Sequence, residues 1–219
     1  MGNRIAFVGM SLTGKSRFAS KIKELEEFND FTFIDSDSWI AEKILGDSKK
    51  PGIARIFLAY GRYEALKIIE EYETIFLKDF CPNPKSKIKY IFALGPWVAI
   101  RRDSWDNFKR DLFCIWLKKE PNKIYEGYKK RWCYLKKELK ENFPELENHP
   151  EFGCWDVDVI VDKNLQPLSK RESLHNICLL NKSLEKHYGG FYSINTSNDN
   201  KFEKNLNKVV KIIKKHFKS

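Results

Sequence analysis

The chain has 219 residues, of which 42% are hydrophobic and 32% charged, and its 40 basic and 30 acidic side chains leave a net charge of +10. That length supports one sizeable core, alone or with a small subdomain, and the balance is ordinary for a globular protein that needs no lipid around it. No apolar run approaches the length of a membrane-spanning helix, and the expectation is a cytoplasmic protein with neither a signal peptide nor membrane association.

Arg4 to Ser16, RIAFVGMSLTGKS, reads as a short apolar strand over Ile5 to Val8 that runs through a glycine-bearing turn into a helix. Gly9, Met10, Ser11, Leu12, Thr13, Gly14, Lys15 and Ser16 satisfy the P-loop spacing at every defined position. Gly9 and Gly14 let the backbone turn tightly and approach a ligand, and the amides between them converge on one concavity. Lys15 is expected along the outer phosphates of a nucleotide, and Ser16 to offer its hydroxyl to Mg2+. The plainer alternative is a Gly-Lys-Ser turn before a surface helix. The apolar strand before the motif and the amphipathic helix after it weigh against that.

Phe18, Ala19, Ile22 and Leu25 give the next helix one buried stripe. Phe31 to Ile34 is a second strand that ends in Asp35-Ser36-Asp37. Carboxylates at i and i+2 beyond a strand tip either face the crevice where open α/β sheets bind ligands or cap the following helix. Ser38 to Leu45 is helical, and Ile53 to Leu77 forms a long helical region bent around Gly61. Lys89 to Leu94 is a strand of the doubly buried type, with Gly95-Pro96 at its tip. A short helix over Trp97 to Arg110 leads to the strand Leu112 to Leu117.

Beyond it Pro121 to Asn142 is basic, helical and rich in aromatic residues, and Val157 to Val161 is a short β-branched run flanked by Asp156, Asp158 and Asp162. Those aspartates suit a second metal or substrate locus and capping or solvated positions equally well. Arg171 to His187 is a helix, Phe191 to Ile194 the last core strand, and Phe202 to Phe217 an amphipathic helix. Cys81, Cys114, Cys133, Cys154 and Cys178 contain no CxxC pair and are expected to be reduced thiols. The pattern predicts an α/β fold of five parallel strands with helices on both faces.

With the P-loop, the DSD tip and the Gly95 tip in place, the chain resembles a divergent shikimate kinase of the nucleoside monophosphate kinase-like group. The likeness runs over residues 4 to 117 and resumes over 180 to 217. It includes FIDSD at Phe33 to Asp37, ALGPW at Ala93 to Trp97, and His187-Tyr188 before YSINTS. The resemblance implies a P-loop kinase fold with ATP and Mg2+ as cofactors. Residues 1–117 would form the nucleotide-binding core, with acceptor-binding helices over 38–80, residues 118–187 an enlarged lid and helical excursion, and residues 188–219 the final strand and helix.

It further implies that Asp35 helps hold the metal with Ser16, and that Asp37 orients the acceptor hydroxyl and receives its proton. An arginine of the lid, here Arg131 beside Lys129 and Lys130, would face the transferring phosphate. Gly9 to Ser16, with Phe18, would make the nucleotide site. Arg62, Lys67, Gly95 and Trp97 fall where the family binds its acceptor. There the sequence departs from the pattern: Leu66-Lys67 replaces a Phe-Arg pair, Gly95-Pro96-Trp97 replaces a three-glycine turn, and no Arg-Pro-Leu-Leu element follows Arg131.

The expected protein is therefore a shikimate kinase-like small-molecule kinase, monomeric or weakly dimeric, acting on a hydroxyl of a small metabolite, anionic or neutral. A nucleoside, nucleotide or other hydroxyl metabolite as acceptor is the first alternative. A degenerate P-loop protein that binds nucleotide and regulates, or binds nucleic acid, is the second. The +10 charge suits nucleic acid, but the lysines are scattered and no RNP-like or zinc-finger motif is present.

Overall fold

A computed structural model describes residues 4–47, 52–82, 87–96, 98, 102–142 and 168–218. In chain order they form β1 (Arg4–Val8), α1 (Lys15–Lys23), β2 (Phe31–Asp35), α2 (Ser36–Leu45), α3 (Gly52–Tyr60), α4 (Arg62–Asp79), β3 (Lys89–Ala93), α5 (Arg102–Phe108), β4 (Leu112–Lys118), α6 (Pro121–Asn142), α7 (Lys170–Tyr188), β5 (Tyr192–Asn195) and α8 (Phe202–Lys218). The Val157 to Val161 run and its three aspartates lie outside the described residues.

The strands pair in the order β2-β3-β1-β4-β5, and every pairing is parallel. This is the expected five-stranded parallel sheet with flanking helices. β1 occupies its centre, which is why all five of its residues are buried and four of them are apolar. The connection through α1 carries the chain from β1 past β3 to β2, and the one through α5 carries it from β3 across β1 to β4. The carboxyl ends of β1, β2, β3 and β4 therefore share one edge of the sheet at a topological switch point.

The chain divides into two compact units. The first holds Met1–Ser36, Thr74–Glu120 and Ser183–Ser219, and the second Asp37–Glu73 and Pro121–Lys182. The core of the first is built on Ile5, Phe7, Phe18, Ile22, Ile115, Val209 and Ile213, where α1 and α8 cover the sheet. In the second, Ile40, Ala41, Ile56, Phe57, Leu58 and Ala65 pack together, and Arg55 grips Asp47 with bonds of 2.6 and 2.9 Å. The long helical region expected around Gly61 is two helices, α3 and α4. Gly61 turns between them at a φ of 70°, a left-handed conformation that glycine adopts without strain.

The amino end of the sheet carries a buried cation. Arg4, only 7% exposed, donates to the carbonyls of Phe108 at 2.7 Å, Arg110 at 3.1 Å and Phe80 at 2.5 Å. Its guanidinium also lies over the rings of Phe108 and Phe92, with centroids 4.5 and 5.5 Å away. Burial pulls its pKa below the usual arginine value. Planarity and five donors let one side chain tie α5 and the end of α4 to the central strand.

Candidate active site

At the opposite end of β1, the chain enters the Gly9 to Gly14 loop. Gly9 has a φ of 139°, and a Cβ built on it would stand 2.5 Å from the carbonyl oxygen of Leu117. Only glycine lets the loop pass this close to β4. Gly14, at a φ of 91°, is the residue before α1 and brings no capping side chain. The first turn of α1 also carries no acidic residue. Its leading amides and the positive end of its dipole therefore face the loop without a competing carboxylate from that turn, which is the arrangement an anion requires.

Inside the loop, the Met10 carbonyl accepts hydrogen bonds from the Thr13 hydroxyl at 2.8 Å and from Lys15 Nζ at 2.9 Å. These bonds fold the Lys15 side chain back over the loop. Met10 and Thr13 are buried, while Ser11, Leu12 and Gly14 are half-buried. Leu12 holds a left-handed φ of 66° with no glycine to ease it. The Phe18 ring is 2% exposed and packs against Phe7 and Phe202, with centroids 6.0 and 4.7 Å away. It sits in the core beneath the loop.

Ser16, on the exposed side of α1, donates its hydroxyl to Asp35 Oδ2 at 2.5 Å. Asp35 ends β2, so two segments 19 residues apart bring hard oxygen donors into contact. Mg2+ is commonly held by one or two protein oxygens, with substrate phosphates and water completing its shell. A hydroxyl and a carboxylate in contact fit that ion. No group of three or more His, Cys, Asp or Glu side chains suited to a metal occurs among the described residues.

Ser36, between the two aspartates, is fully buried, and its hydroxyl accepts the Gly95 amide proton at 2.8 Å. Leu94 donates its amide to the Phe7 carbonyl at 3.0 Å. Together these bonds fix the tip of β3 against the tips of β2 and β1. The Gly95 N–H is already engaged, so Gly95 shapes the edge through its backbone path. The DSD spelling suggests a helix cap at Ser36; its pairing with a residue 59 positions away is visible only in the fold.

The remaining candidates belong to the second unit or lie outside the described residues. Asp37 is exposed in the first turn of α2. Lys67 is exposed on α4 and stands 3.4 Å from Glu64 Oε2. Arg131 is half-buried on α6, and its neighbour Lys129 lies 5.7 Å from the centroid of the Tyr125 ring. Arg62 opens α4, but its side chain lies outside the described residues, as does all of Trp97. No helix among the described residues is long and apolar enough to cross a membrane.

No family model and no curated protein matches the sequence. Solved structures do match the fold. A shikimate kinase from Acinetobacter baumannii in complex with shikimate superimposes with a TM-score of 0.58 at 16% identity, over 97% of this chain and 93% of that one. A shikimate kinase from Bacteroides thetaiotaomicron gives 0.55 at 13% identity, over 96% and 98%. The chain is thus similar in fold to shikimate kinases along nearly its whole length.

Proposed function

We propose that this protein is an ATP-dependent phosphotransferase, a divergent relative of the shikimate kinases, that passes the γ-phosphate of ATP to a hydroxyl of a small molecule. The observation that carries this reading is the Ser16 hydroxyl on the Asp35 carboxylate at 2.5 Å, beside a loop that only glycine can close against β4. A glycine loop alone suits any anion. The added pair of oxygen donors at the start of α1 suits a metal-bound nucleotide.

In this reading the amides from Gly9 to Ser16 hold the β- and γ-phosphates. Lys15 exchanges the Met10 carbonyl for phosphate oxygen, and Ser16 and Asp35 hold Mg2+ directly or through water. When bound, that ion neutralises charge on the outer phosphates. Asp37 orients the acceptor hydroxyl and takes its proton, and Arg131 supplies a cation to the transferring group. Arg62, Lys67, Gly95 and Trp97 are the acceptor-side candidates. Lysine gives an anionic acceptor a point charge in place of arginine's bidentate fork, which favours an acceptor other than shikimate.

The test is ADP release from MgATP against a panel of shikimate, other hydroxy acids, sugars, polyols and nucleosides. One acceptor is expected to stimulate turnover well above the acceptor-free rate, and Lys15→Ala is expected to lower that turnover by about a hundredfold or more, as losses of phosphate-stabilising charges do. A folded wild-type protein that binds no MgATP would sink the reading.

A further inference from the structure

The two lysines at the end of β4 part company. Lys118 Nζ lies 3.9 Å from the centroid of the Trp116 ring and 3.7 Å from Glu185. Lys119, the next residue, sends its ammonium the other way, to the Leu12 carbonyl of the glycine loop at 3.3 Å. Neighbouring side chains at a strand end point to opposite sides, so only one of the pair can reach the loop.

The backbone around Lys119 is fixed on both flanks. The Lys118 carbonyl accepts the Thr196 amide at 2.7 Å and the Thr196 hydroxyl at 3.1 Å. The Glu120 amide donates to the Ser197 hydroxyl at 2.8 Å. β4 and the residue after it therefore meet the loop at two places: Leu117 against Gly9, where a Cβ has no room, and Lys119 against Leu12. Leu12 is also the loop residue held at a left-handed φ without being glycine.

We propose that Lys119 is a second phosphate-binding cation of the loop, alongside Lys15. The inference rests on the nucleotide reading above and deepens it. Both ammoniums lie on carbonyls of the same loop, Lys15 on Met10 and Lys119 on Leu12. A lysine has three donors on a flexible stem, so its head can turn from a carbonyl to a phosphate oxygen while its base stays tethered. The loop then presents a negatively charged phosphate chain with charge from two directions, from the start of α1 and from the end of β4. The alternative role for Lys119 is a prop that only holds the strained Leu12 turn.

Calorimetric titration with MgATP, and separately with inorganic tripolyphosphate, distinguishes these roles in wild type, Lys119→Met, Lys119→Arg, Lys15→Ala, Leu12→Gly and the Leu12→Gly/Lys119→Met double variant. Loss of a charge-assisted contact is expected to weaken both ligands about tenfold or more in Lys119→Met, with Lys119→Arg recovering most of the affinity. The same loss should persist in the Leu12→Gly background, where glycine removes the strain a prop would relieve. A loss that vanishes in that background would reduce Lys119 to a prop and overturn the proposal. Wild-type affinity in Lys119→Met, with binding abolished in Lys15→Ala, would overturn it while leaving the nucleotide reading intact. Failure of the wild type to bind either ligand would bring both down. Should Lys119→Met lose its far-ultraviolet circular dichroism, Lys119→Gln takes its place with the same criteria.

Discussion

Gly9 and Gly14 carry the same letter in the motif for different physical reasons. At Gly9 an added Cβ would lie 2.5 Å from a backbone carbonyl oxygen, which cannot move without shifting β4. At Gly14 the nearest atom is Phe18 Cδ2 at 3.8 Å, so only the φ of 91° opposes a side chain. Gly9→Ala should therefore cost about 3 kcal/mol or more, from overlap added to backbone strain. Gly14→Ala should cost about 1 kcal/mol, because its strain is partly offset by a stiffer unfolded chain. Urea denaturation of the two variants checks the order; equal losses would mean that the contact with Leu117 relaxes freely. Cys114 offers a second test. Burial pushes its thiol from the ordinary 9.0 up to about 12, so the folded chain keeps a proton that the unfolded chain releases above pH 9. Its contribution to stability should be complete below pH 9 and be lost as pH rises toward 12, read as the difference between wild type and Cys114→Ala. At pH 8 iodoacetamide should label the exposed Cys81 and Cys178 and spare Cys114 until the chain unfolds, as site-resolved mass spectrometry would show.

β1 shows how one element serves two ends of the sheet. Its carboxyl end feeds the glycine loop, while Arg4 at its amino end binds three carbonyls. Arg4→Met should leave those carbonyls without their donor and cost about 3 kcal/mol in a denaturant titration. Arg4→Lys should recover only a small part of that, because a point charge cannot span the fork. Apolar continuity and flanking turn residues disclosed every strand of the described sheet to within a residue or two. β1, β3 and β4 are buried on both faces and read as unbroken apolar runs. Helix boundaries were harder to read wherever a local hydrogen bond ended a pattern that the side chains continue. α1 stops at Lys23 although Leu25 and Phe28 extend its stripe, because Glu26–Phe28 tightens into a 3₁₀ turn. The buried Arg4 was not legible at all, since an arginine at a strand's start reads as a solvated end and its partners lie 76 to 106 residues away.

The same distance in sequence separates what the motif displays from what completes it. Gly9 to Ser16 is continuous and could be read directly, whereas Ser36 on Gly95 and Lys119 on Leu12 join segments that only the parallel topology brings together. The net charge of +10 belongs to no single site, and composition alone leaves both a nucleotide and a nucleic acid open as partners. In the fold, Lys204, Lys208, Lys211 and Lys215 recur at intervals of three and four residues along the exposed face of α8, while its apolar face is buried against the sheet. Salt separates the two partners. A long polyanion that displaces many counterions loses about a thousandfold or more in affinity between roughly 50 and 200 mM salt. A triphosphate held by a glycine loop and two or three cations should lose less than about tenfold over the same range, because close contacts in a partly buried site are screened weakly. Anisotropy titrations of a fluorescent ATP analogue with Mg2+ and of a labelled single-stranded RNA of mixed sequence, each at both salts, make the comparison. The expected outcome is nucleotide binding that survives the higher salt and RNA binding that does not, with ATP failing to displace RNA at the lower salt. RNA retained at the higher salt and competed off by ATP would instead make this chain a nucleic-acid-binding P-loop protein.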